Sequence, residues 1–149
     1  MSAEPLGEEY RKWEETISPR FRADTLWRTT AYRYATYLSD LAWGDAVLLE
    51  RRVITRALGA QICRAAGSIG ANIADGYGRG SGRDRVRFYE YALCSARESA
   101  SWYHSARHAI GDDVACARID FIQRICRLLL ATIPAERRRV IKRSEPGPN

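Results

Sequence analysis

The chain has almost no lysine: of its 24 basic residues all but Lys12 and Lys142 are arginine. It also has only two histidines, His104 and His108, and no apolar run near the roughly 20 residues that a membrane span requires. No membrane association is expected. The four cysteines, Cys63, Cys94, Cys116 and Cys126, form no C-x-x-C pair and fall among apolar residues on three predicted helices, which points to small core thiols rather than disulfides or a metal site. The first twenty residues are polar and acidic, without the basic start and apolar stretch of a secretory signal, so a cytoplasmic protein is expected.

What is present is charge and helical rhythm. At 149 residues the chain suits one domain with a substantial core. Its net charge of +6 favours a polyanionic partner, because clustered cations bind phosphate and release its counterions. Arginine suits bidentate phosphate contact and base stacking better than lysine does, although a G+C-rich genome gives the same bias.

Leu6, Tyr10, Trp13 and Ile17 recur at helical spacing in an acidic segment that ends at Ser18-Pro19, a candidate short helix with a disordered tail as the alternative. Asp24 or Thr25 can cap a first long helix with Trp27, Ala31, Tyr34, Leu38 and Leu41 along one seam, weakening near Trp43-Gly44-Asp45. A second carries Ile54, Leu58, Ile62, Ala65, Ile69 and Ile73, with Gly59, Ala66, Gly67, Gly70 and Ala71 keeping its surface narrow for close packing. The glycines from Gly76 to Gly82 end it, and Ser81 caps a third helix over Gly82–Ile110, with Asp84 three residues on as in a capping box. That helix carries Phe88, Ala92, Ser95, Ser99, Trp102 and Ala106 on one seam. Gly111 stops it and Asp112 opens a fourth helix, apolar over more of its circumference than one seam requires, so Ile119, Ile122, Cys126 and Leu129 are assigned to a subunit interface. No strand pattern occurs. The expected fold is all-α, an antiparallel up-down four-helix bundle over residues 23–133, preceded by an extension (1–22) and followed by a flexible basic tail (134–149) that ends in Pro146 and Pro148.

The block from Arg64 to Arg79, Arg-Ala-Ala-Gly-Ser-Ile-Gly-Ala-Asn-Ile-Ala-Asp-Gly-Tyr-Gly-Arg, followed by Phe88, Tyr91-Ala92 and Ser95, resembles the motif of the four helix bundle protein family. That family includes proteins encoded within intervening sequences of bacterial large-subunit ribosomal RNA genes. The resemblance runs from about Phe21 to Ile133, with Trp27 at an early tryptophan position. It departs at Cys63 (often Arg), Gly70 (often Pro), Asp75 (Glu) and Cys94 (Gly). It implies a ring-shaped homopentamer and kinship with the accessory protein of diversity-generating retroelements, a basic bundle that binds nucleic acid and partners a reverse transcriptase.

Several candidate sites follow. Asn72, Asp75 and Arg79 share one face near the end of the second helix, where Ser95 or Glu98 can meet them in a buried polar network that fixes helix register. Arg51, Arg52, Arg56, Arg79, Arg83, Arg85, Arg87, Arg137, Arg138 and Arg139 are the candidate contacts to RNA or DNA phosphate. Arg97 and His104 give the R-x6-H spacing that resembles the HEPN ribonucleases, though Glu98 stands where that motif prefers Asn, Asp or His. His104 and His108, one turn apart, are too few to hold a metal, and no G-x-x-x-x-G-K-[ST] loop or nucleophile–base pair is present. The expectation is a non-enzymatic, homo-oligomeric nucleic-acid-binding protein with no cofactor. The alternative is a protein-interaction scaffold for an enzyme such as a reverse transcriptase.

Overall fold

The computed structural model describes residues 7–144, with side chains as far as Arg139; Leu6, Pro146, Pro148 and the side chains of Lys142 and Arg143 lie outside it. Every regular element among the described residues is helical. Helix α1 (Glu8–Thr16), a single turn α2 (Pro19–Arg22) and a 3-10 turn (Thr25–Arg28) lead into four long helices, α3 (Thr30–Glu50), α4 (Val53–Tyr77), α5 (Gly82–Ile110) and α6 (Asp112–Ser144). Each long helix packs along the next, and α3 also touches α6.

The local signals act largely as expected. The Asp24 side chain accepts a hydrogen bond from the Leu26 amide, although it caps the 3-10 turn that holds Trp27 and not α3 itself. Ser81 accepts from the Asp84 amide at the start of α5. Gly111, at φ 92°, supplies the left-handed residue that stops α5. Helix α1 is ordered against α3 by aromatic packing, with Tyr10 5.3 Å from Tyr37 and 5.6 Å from Tyr34, centroid to centroid. Trp13 donates its indole N–H to Asp40 at 2.7 Å. A stripe too small to hold a helix in isolation is thus held by rings it meets on a neighbour.

Five expectations need correction. Helix α3 does not weaken at Trp43-Gly44-Asp45 but continues to Glu50, because Asp45 is no cap: it is buried and takes partners from α5 and α6. The start of α4 is turned away from the core. Val53 and Ile54 stand 84% and 86% exposed, while Thr55 faces inward and donates its hydroxyl to the Leu49 carbonyl. The apolar breadth of α6 is core and not subunit interface. Ile122 and Leu129 are buried within the chain, with Ile119 and Cys126 packed against the same cluster, because α6 faces both α5 and α3 and needs a wide stripe. Cys94 and Cys116 are exposed rather than core thiols, and all four cysteines are free. The segment after Pro134, expected to be flexible, stays helical to Ser144. Proline removes one backbone donor there, but pairing of Glu136 with Arg85 and of Arg137 with Glu90 holds the next turn.

The glycines of α4 divide by what they touch. A methyl group added at Gly76 would lie 2.9 Å from a ring carbon of Tyr89 and 3.1 Å from Cβ of Phe88, so α4 and α5 cross here only because the side chain is missing. At Gly59 it would meet the Ala46 carbonyl of α3 at 3.2 Å. Gly67, by contrast, has nothing within 4 Å and does not serve close packing. Gly76→Ala should therefore destabilise the protein by about 1–3 kcal/mol through overpacking. Gly67→Ala should stabilise it by about 0.5–1 kcal/mol through helix propensity. Urea denaturation of the two variants checks the opposite signs.

Candidate functional site

Two carboxylates are buried among the described residues, Asp45 and Glu136, and Asp45 is the more enclosed. The Asp45 carboxylate of α3, only 5% exposed, accepts the Tyr103 hydroxyl of α5 at 2.9 Å. It also accepts two guanidinium bonds from Arg118 of α6, at 2.8 and 3.2 Å. Burial and the neighbouring carboxylate hold the Tyr103 hydroxyl well above its ordinary pKa of 10.0. Burial alone would lower Arg118, but its bonds and charge contact with Asp45 outweigh that and raise it. The Asp45 oxygens are all taken and only the Arg118 side chain reaches partly to solvent, which suits a tie between three helices rather than a ligand site.

The polar network expected lower on α4 does not assemble. Asn72 donates to the Ser68 carbonyl of its own helix at 2.8 Å. Asp75 and Arg79 are exposed, and Ser95 offers only its carbonyl, to Ser99. Glu98 pairs instead with Arg64 and accepts the Trp102 indole N–H at 3.2 Å, and these bonds lower its pKa. The helical spacing was right for sharing a face, but the face is turned mostly to solvent.

The ten candidate arginines separate into two groups. Arg51, Arg52 and Arg56 lie at the α3–α4 turn, with Arg56 paired to Glu50 at 2.8 Å. Beside them Trp43, Val47, Leu48, Val53 and Ile54 form an exposed apolar surface, Trp43 being 70% exposed. The other seven gather at the opposite end, where the α4–α5 turn meets the far part of α6. Arg85 bonds Glu136 at 3.2 Å and the Arg79 carbonyl at 3.0 Å, Arg139 bonds Glu136 at 3.0 Å, and Arg137 pairs with Glu90. Among the described residues Arg79, Arg83, Arg87 and Arg138 have no carboxylate partner. The Arg79 guanidinium lies 4.6 Å from the Phe88 ring centroid, and Arg87 donates its Nε–H to the Tyr91 hydroxyl at 2.6 Å. Tyr77 and Tyr91 are both 41% exposed in this region. The sequence reading missed these aromatics because Phe88 fits a core seam and Tyr91 follows it at a spacing that also fits one.

Arg97, His104 and His108 are exposed on the outward side of α5, and no hydrogen bond joins Arg97 to His104. Among the described residues no three His, Cys, Asp or Glu side chains come together as metal ligands. No described helix is long and apolar enough to cross a membrane.

Among the described residues the elements are all helical, and at one end seven arginines, four of them without a carboxylate partner, lie beside the exposed Tyr77 and Tyr91. Residues 51–111, essentially α4 and α5, match the family of the 23S rRNA-intervening sequence protein. The likeness read from the central motif is thereby shown over that helical pair. No curated protein matches the chain. A crystal structure of a protein of unknown function from the S23 ribosomal protein family of Bacteroides thetaiotaomicron is similar at a TM-score of 0.66 and 21% identity, over 70% of this chain and 98% of that one. At that identity the likeness is one of fold.

The triad carries a pH dependence. A tyrosine whose pKa is raised on folding stabilises the native state fully below its unfolded value, near pH 10, and the contribution is lost as pH rises above it. Tyr10 and Tyr89, also raised by burial, add to the same trend. The melting temperature should hold from neutral pH to about pH 10 and fall above it. Tyr103→Phe should start about 1 kcal/mol lower from its lost hydrogen bond and fall less steeply. Parallel curves would show that Tyr103 does not carry the effect.

Proposed function

We propose that the four long helices form an antiparallel up-down four-helix bundle that binds RNA or DNA through phosphate contacts, self-associates, and has no enzymatic activity of its own. The observation that carries this reading is the arginine end: seven arginines from the α4–α5 turn and from two helices, α5 and α6, converge there, and four of them lack a carboxylate partner among the described residues. A guanidinium not engaged by carboxylate is free to take a bidentate phosphate, and several together gain affinity by displacing counterions. The match to an rRNA-intervening-sequence family is consistent with a nucleic-acid partner. The non-enzymatic part rests on Arg97 and His104, which are both exposed on α5 and share no hydrogen bond.

Binding should weaken steeply with salt, log affinity falling by close to one unit per unit of log salt for each phosphate neutralised. Arg83→Glu with Arg138→Glu should lower affinity for a generic RNA at least tenfold and flatten that slope, as fluorescence anisotropy over a salt series would measure. Unchanged binding, or cleavage of RNA that Arg97→Ala and His104→Ala abolish, would overturn the proposal.

Self-association finds support in the apolar surface at the other end, Trp43, Val47, Leu48, Val53 and Ile54, whose exposure in one copy favours cover by a second. The family resemblance favours a ring of five. Light scattering on a size-exclusion column should give one discrete multimer, and Val53→Asp with Ile54→Asp should reduce it to smaller species without unfolding the chain, since both side chains stand in solvent. The same surface favours the scaffold reading, docking of a partner enzyme such as a reverse transcriptase, if the purified chain is a monomer.

A further inference from the structure

The arginine end carries more than charge. Four side chains from the α4–α5 turn and the first turns of α5 form a continuous cation–aromatic ladder. The Arg79 guanidinium carbon lies 4.6 Å from the Phe88 centroid. The Phe88 and Tyr91 centroids are 5.9 Å apart with planes at 87°. The Arg87 guanidinium carbon is 5.5 Å from the Tyr91 centroid. Because Arg87 also donates Nε–H to the Tyr91 hydroxyl at 2.6 Å, it sits toward the hydroxyl edge of that ring. The Tyr91 ring, 41% exposed, is therefore fixed in orientation without being covered.

Gly76 contributes to this arrangement. The missing side chain lets α4 run within contact of Phe88 and Tyr89, which brings the α4 terminus and Arg79 over the Phe88 ring. A partner that needed charge alone would gain nothing from two aromatic rings held among the cations. Unpaired nucleotides would, since each presents a π-face for stacking on an aromatic or a guanidinium plane, next to a phosphate for a nearby arginine. Paired bases have those faces already occupied by their neighbours in the helix.

We propose that Arg79, Phe88, Tyr91 and Arg87 form a stacking platform for unpaired bases, so that the nucleic acid taken at this end is single-stranded. The proposal rests on the reading of the arginine end as a phosphate site. Arg83 and Arg138 hold the strand by its phosphates, and Tyr91 takes a base.

The experiment uses the full chain and three fluorescent probes of equal length at one salt concentration: a single strand with bases, the same strand made abasic, and a duplex. The abasic strand keeps the phosphates and lacks the stacking faces. The base-bearing strand should bind about tenfold more tightly than the abasic one, the scale of one base–aromatic stack. Tyr91→Ala should remove that advantage and leave abasic binding unchanged, while Tyr91→Phe, which keeps the ring, should retain it. Equal binding of strands with and without bases, insensitive to Tyr91→Ala, would overturn the platform and leave the phosphate reading standing. If no strand binds, or polyglutamate of matched charge binds as tightly as the base-bearing strand, the phosphate reading falls as well, the second result pointing to an acidic protein partner.

Discussion

The arrangement of the long helices depends on a carboxylate taken out of water. Asp45 lies near the end of α3, and its two oxygens are claimed by Tyr103 of α5 and Arg118 of α6. An unpaired carboxylate in that position would be strongly unfavourable, so register errors that separate it from either partner are penalised far more than a slipped aliphatic contact. Leu38, Ile62, Ile69, Ile122, Ile125 and Leu129 supply the apolar burial around it. Apolar side chains tolerate small shifts, whereas three directional bonds to one carboxylate do not. The triad thus fixes how three helices align along their lengths while the aliphatic core supplies cohesion.

From that alignment the two ends follow. Helices α4 and α5 meet closely at Gly76, and the turn after Tyr77 places Arg79 and Arg85 beside the part of α6 that carries Glu136 and Arg137. The carboxylates there bind some of the arginines and orient them, and the remaining guanidinium groups are presented to solvent. The exposed pair of Arg137 with Glu90 adds little stability, whereas Glu136 is buried between its arginines. The effect of these pairs is to set which cations stay available.

Much of the fold was legible in the sequence because its signals are local. Ser81, Gly111 and the 3.6-residue rhythm of α5 each act within a few positions of where they stand. Asp45 was misread for the opposite reason: after Gly44 it looks like a helix stop, and its partners lie 58 and 73 residues away. Ile54 continues the α4 rhythm by spacing but falls beyond the end of its neighbour, where nothing covers it. The breadth of α6 resembled an external interface because periodicity alone cannot distinguish a helix facing two neighbours from one facing a partner chain. At the candidate site the arginines could be named, but not sorted into two ends or into paired and unpaired. That sorting depends largely on Glu90 and Glu136, whose partners on the other helix are tertiary.

Helix α4 spans Val53–Tyr77, so the apolar surface at its start and the cation–aromatic ladder at its finish are separated by roughly 40 Å of continuous helix. That distance exceeds the Debye length at physiological salt several-fold. The two ends therefore lie beyond direct electrostatic reach of one another. Occupancy of one end leaves the other sterically open, and changes made at the two ends combine additively. If both proposed surfaces are used, a copy held at one end still presents its other end to solvent.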